Sequence, residues 1–164
     1  MPYNQTEVSA SRSQEAIRKL LIKAGATRLM FEESLDPKNP EIFVRFMYQN
    51  LPVCFAVNVE KQIRILREKH PYKYEGEKIG EAFQQSLKSA YRFIFYKLKT
   101  IFEGIELGYD NFKEVFLANF EQVLPNGDRI RIGEIIAPAL TSQNSLLKNL
   151  RDLPALEDKR ESGK

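Results

Sequence analysis

The residues best suited to chemistry gather on one stretch of this 164-residue chain. If residues 88–106 form a helix, Lys88, Arg92, Lys99, Glu103 and Glu106 fall within an arc of about 60° at 100° per residue. Phe95 and Tyr96 flank that arc. An arginine and two lysines beside aromatic rings suit phosphate contact combined with base stacking, on a nucleic acid or around a nucleotide-like ligand in a cleft. The same spacing also suits a solvent face braced by Lys99 and Glu103 at i,i+4. Upstream, Arg64 and Arg67 extend the basic character, and residues 61–99 hold ten Lys/Arg against four acids, a net +6. Residues 100–121 reverse this with five acids and one base, a net −4. The binding residues expected here are Arg64, Arg67, Lys88, Arg92, Tyr96, Lys99 and Glu103.

Other catalytic patterns are thin. His70 is the only histidine and has no partner at zinc-ligand spacing, so no metal site is expected. A Cys54–His70 pair would need an accessible thiol, yet Cys54 sits inside Val53-Cys54-Phe55-Ala56-Val57, which reads as a buried strand. Glu32-Glu33 with Asp36 could hold Mg²⁺, but no strand-borne Asp followed by Glu-x-Lys accompanies them. Neither common glycine-rich nucleotide cradle occurs. The expectation is a non-enzymatic protein without a cofactor.

Composition narrows the class. A hydrophobic fraction of 43% is too high for a mostly disordered chain, and one cysteine cannot form an internal disulfide. No apolar run approaches the ~20 residues of a membrane span, and no signal peptide is visible at the start. A cytoplasmic location and no membrane partner are expected.

The elements that must position the basic face follow from periodicity. Residues 1–10 read as a flexible start, 11–140 as one domain and 141–164 as a polar, flexible tail. Ser11 and Gln14 suggest a capping box opening a helix with Ile17, Leu20, Leu21 and Ala24 on one face and Gly25 past its end. Strands are expected over 27–32, 41–48 and 53–59, with Gln49-Asn50-Leu51-Pro52 between the last two. Ile42, Val44, Phe46 and Tyr48 should share a face with Val53, Phe55, Val57 and Val59. The opposite face, with Phe43, Arg45, Met47, Cys54, Ala56 and Asn58, is mixed and should be either covered or partly open. A short helix over 60–69 and a basic-aromatic loop over 70–76 precede the dominant helix, about 78–107. There Phe83, Leu87, Tyr91, Ile94, Leu98, Ile101 and Ile105 recur at spacings of three and four. Phe93, Phe95 and Tyr96 lie off that stripe, so this helix must either run through the middle of the domain or pack on a second subunit, a homodimer. Asn111 and Glu114 suggest another capping box, and Leu124-Pro125-Asn126-Gly127 a hairpin turn before a terminal element over 133–140. The fold expected is α+β: a three-stranded antiparallel sheet packed on a long central helix, with a C-terminal β-hairpin.

These landmarks, in order, resemble a family of small uncharacterised proteins encoded by phages, prophages and other mobile elements. The resemblance spans roughly residues 14–140. It rests on Gly25-Ala26, Tyr91-Arg92 leading to Lys99 and Glu103, Gly108, and Gly133-Glu134. Its most specific part is Phe112-x-Glu114-x-Phe116-Leu117-Ala118 followed by Leu124-Pro125-Asn126-Gly127. The chain departs from the family's usual Trp at Tyr91, second base at Ile101 and Thr at Asn111. The resemblance implies a mobile-element origin and a compact α+β fold, but supplies no reaction. The functions it leaves open are nucleic-acid binding through the basic-aromatic helix face, binding of a nucleotide signal against host defence, and an interaction module that dimerises.

Overall fold

A computed structural model describes residues 6–34, 36, 38–76 and 79–141. Of the expected flexible start at 1–10, residues 1–5 lie outside the described residues and Ala10 already belongs to a helix; of the expected tail at 141–164, Thr141 ends a helix and 142–164 lie outside the described residues, as do Pro37 in the first turn and Lys78 at the start of the long helix.

Helix α1 (Ala10–Lys23) is capped by Ser9, whose Oγ accepts from the Arg12 amide at 3.2 Å. The cap therefore lies two residues before the expected Ser11. Ser11 instead shares a hydroxyl contact with Ser9 at 3.1 Å. Strands β1 (Thr27–Ser34), β2 (Glu41–Tyr48) and β3 (Leu51–Asn58) form the expected antiparallel sheet in sequence order. Gln49 and Asn50 carry φ of 48° and 63°, a two-residue turn whose twist matches that of the flanking strands. The turn is thus tighter than expected: Leu51 and Pro52 belong to β3, paired with Tyr48 and Met47. Pro52 is tolerated because β3 is an edge strand, where a missing amide donor breaks no ladder.

Register places Ile42 opposite Val57, Val44 opposite Phe55 and Phe46 opposite Val53. This inner face packs on helix α3 (Ile79–Glu106), and Ile42, Val44, Phe46 and Val53 are buried together with Leu87, Tyr91, Ile94 and Leu98. Phe31 meets Tyr91 edge-on at 5.8 Å, and Tyr48 meets Phe102 at 5.3 Å. Helix α2 (Glu60–Lys69) covers another side of α3, where Leu66 and Tyr74 close over Ala82. α1 covers a third. The long helix is therefore covered on several sides within one chain, while Phe93 stays exposed.

Gly108, at φ +74°, ends α3 in the left-handed conformation that a side chain resists. Asn111 then caps α4 (Phe112–Val115), accepting from the Lys113 amide at 2.9 Å, and Phe112 and Phe116 turn into the core. A 3-10 turn over Leu117–Asn119 leads to the hairpin β4 (Glu121–Val123) and β5 (Arg129–Arg131), followed by α5 (Ile132–Thr141). In the hairpin only Gly127 takes positive φ, at +88°. Asn126 contributes its side chain instead, accepting from the Asp128 amide at 3.1 Å. α5 crosses close to the 3-10 turn: a Cβ on Gly133 would stand 2.9 Å from the Ala118 carbonyl oxygen.

Candidate functional site

Two helices build the site. On α1 and its C-cap, Ala16, Lys19, Leu20, Lys23 and Ala24 recur at helical spacing and form one wall. On α3, Phe95, Lys99, Phe102, Glu103, Ile105 and Glu106 form the other. Tyr48, at the end of β2, completes the lining. Between them lies an open cleft of about 600 Å³, within the ~300–1,000 Å³ range of small-molecule sites. Ile17 and Leu21 turn into the core on the neighbouring face of α1, so Leu20 and Ala24 are left to the cleft.

The expected site residues divide among three places. Lys99 and Glu103 line the cleft, beside the flanking Phe95. Lys99 Nζ lies 3.6 Å from Glu103 Oε1, with both side chains about half exposed (48% and 57%), as an i,i+4 brace would have it. Arg92 lies beside the cleft, one turn before Tyr96. Its guanidinium donates to Tyr96 Oη at 2.6 Å and stands 4.6 Å from the Tyr96 ring centroid and 5.4 Å from that of Phe95. Among the described residues no carboxylate comes within ion-pair distance of Arg92. Lys88 is half-buried one turn earlier on the same side. Arg64 and Arg67 are exposed on α2, which packs near Ala82. At 1.5 Å per residue, Lys99 is roughly 25 Å further along α3 than Ala82. The fold therefore keeps the α2 arginines away from the cleft.

The other candidates resolve into structure. Cys54 is buried, and burial pushes its thiol up to about 11. His70 sits at the end of α2 with its ring against Tyr74. Glu33 accepts from the Tyr91 hydroxyl at 2.9 Å. Burial, reinforced by that carboxylate, raises the Tyr91 pKa above its ordinary value. Glu32 accepts from Arg45. Among the described residues, no group of three His, Cys, Asp or Glu is placed to hold a metal ion.

Sequence reasoning missed two features. One is the α1 wall with Lys19 and Lys23. The usable signal was an apolar set on α1 wider than one core-facing stripe, continued by lysines four residues apart. The other is Arg45, the centre of an ion network on the outer face of the sheet. Its Nε donates to Glu121 Oε1 at 3.0 Å, and Arg129 reaches Glu121 Oε2 at 3.8 Å. Burial works against the Arg45 charge, but the hydrogen bond to Glu121 and the neighbouring negative charges outweigh it and raise the pKa. Asn119 Nδ2, in the 3-10 turn, donates to the Cys54 carbonyl at 3.2 Å, and Phe120 bridges Val53, so the segment leading into the hairpin is tied to the edge of β3.

No helix among the described residues is long and apolar enough to cross a membrane. Compared with known proteins, the chain matches no family model, no curated protein and no solved structure.

Proposed function

We propose that this is a non-enzymatic binding protein whose ligand, a small negatively charged molecule, sits in the cleft between α1 and α3. The observation that carries the reading is a recess of about 600 Å³ with an apolar floor and lysines on both walls. Burying an apolar body drives association, and the ammonium groups select the sign of the ligand's charge. The resemblance to proteins of phages and mobile elements sets the context: an accessory protein acting in the cytoplasm, with nucleotide signals of host defence among the first ligands to screen.

The test is thermal denaturation across a panel of small anions, including cyclic and linear nucleotides and organic carboxylates. A ligand at a hundredfold its Kd stabilises by about 2.7 kcal/mol. That is a rise in Tm of roughly 5–10 °C for a chain of this size. Unchanged melting across the panel overturns the reading.

A second reading, nucleic-acid binding along the same helix, is favoured by one observation: Arg92 faces aromatic rings rather than a carboxylate, with Lys88 one turn away. It requires binding that weakens steeply with salt, as released counterions dictate, and that falls on charge reversal at Lys88 and Arg92. Glu103 and Glu106 on the same side of the helix work against a long phosphate track.

A further inference from the structure

Resting on the reading of the cleft as a ligand site, we infer that its ligand is an amphipathic monoanion, an aliphatic carboxylate or its equivalent, rather than a nucleotide. The inference comes from what the walls can and cannot offer. Both walls are α-helices, whose main-chain amides are already committed to the helix. The lining holds no Ser, Thr, Asn, Gln or His, and its one neutral polar group is the Tyr48 hydroxyl. A nucleobase is recognised through fixed donors and acceptors along its edge, and a site that leaves those groups unpaired discriminates against it. An alkyl chain asks for nothing of this kind. Leu20, Phe95, Phe102 and Ile105 give it a featureless apolar surface.

The rim fixes the charge of the head group. Among the lining residues, Lys19 and Lys23 on α1 stand opposite Lys99, Glu103 and Glu106 on α3, a net charge of +1 with the positive excess on the α1 side. Lys19 is 3.9 Å from Glu15 and Lys99 is 3.6 Å from Glu103, each at the surface, where such pairs are weak and exchange partners readily. Lys23 has no carboxylate within ion-pair distance among the described residues. One carboxylate is therefore matched at the α1 side. A di- or triphosphate would bring more negative charge than the rim neutralises and would set it against Glu103 and Glu106.

Dodecanoate is the probe, measured by calorimetric titration below its micelle concentration, beside dodecanol, dodecyltrimethylammonium and a nucleotide panel. The expected result is saturable binding of dodecanoate, weaker binding of dodecanol and none of the nucleotides. Ala16→Trp fills the cleft from an α1 position that is not part of the core and should abolish binding without lowering the unliganded Tm. The K19E/K23E variant makes the rim net negative. It should lose dodecanoate affinity by about tenfold or more and gain the trimethylammonium probe, as the sign of the rim dictates. If nucleotides bind the cleft and dodecanoate does not, the inference is overturned while the cleft remains a ligand site. If Ala16→Trp leaves all binding intact, the cleft assignment fails with it. Equal dodecanoate binding by the wild type and K19E/K23E also overturns it.

Discussion

The cleft and the outer face of the sheet both concentrate charge, and they use it in opposite ways. On the outer face, Arg45 is only 14% exposed and Glu121 9%, and Glu32 and Arg129 complete the set. These four charges are answered by one another, and what the network accomplishes is to fasten the C-terminal hairpin to the sheet. At the cleft, the pairs are half-exposed, Lys23 and Arg92 meet no carboxylate among the described residues, and an apolar recess lies open beside them. Buried charge that is fully matched belongs to the architecture. Exposed charge beside an unfilled apolar recess is where an outside molecule can gain binding energy.

Substitutions at the two regions should therefore separate in size. Arg45→Ala strands Glu121 without its main partner, and removing one member of a buried pair costs about 3 kcal/mol or more. Urea denaturation should show that loss while dodecanoate binding at the cleft persists, and a loss near zero would mean that the network is not buried in solution. Cys54 belongs to the same region. Its thiol should resist modification until the chain unfolds. The thiol titrates near 9.0 when unfolded and at about 11 when folded, so the folded state holds the proton longer. Stability should accordingly fall as pH rises from 9 towards 11. A thiol that reacts at once at pH 8 would refute its burial. Tyr91→Phe removes the donor to Glu33 from inside the core and should cost about 1–2 kcal/mol in the same denaturation measurement.

The basic-aromatic helix and the sheet were legible because periodicity records which faces are buried. The pairing of Ile42, Val44 and Phe46 with Val57, Phe55 and Val53 follows from alternation alone. The Gln49-Asn50 turn was not legible as a two-residue turn. Pro52 argued for a loop, and only the edge position of β3 makes it harmless. Half of the cleft was hidden for a different reason. Phe95, Lys99 and Glu103 could be placed on one face of a helix, but nothing in local spacing says which helix lies opposite. Lys19 and Lys23 read as ordinary surface lysines until tertiary packing brings α1 alongside α3. Arg45 was visible only as a charge on a mixed face, because its partner Glu121 is 76 residues away.

Smaller effects belong to the exposed pairs. Lys99→Ala should change stability by no more than about 0.5 kcal/mol, since a half-exposed i,i+4 pair contributes little, while weakening ligand binding measurably. A large stability loss would move Lys99 into the architectural class. Glu134, held below its ordinary carboxylate value by the Arg131 side chain and amide, supplies an acid-side counterpart at the hairpin. Its contribution is present above the unfolded carboxylate pKa and lost as pH falls through the lowered folded value. Glu134→Gln should therefore flatten part of the acid limb of the stability profile, slightly, and an unchanged limb would show that the pair is idle.

Chemical-shift mapping of isotope-labelled protein during dodecanoate titration asks where a ligand goes. The account predicts that perturbed amides concentrate on residues 16–23 of α1 and 95–106 of α3, with the outer face, Arg64 and Arg67 unaffected. Perturbations centred on the C-terminal hairpin or on α2, with the two cleft walls silent, would contradict it.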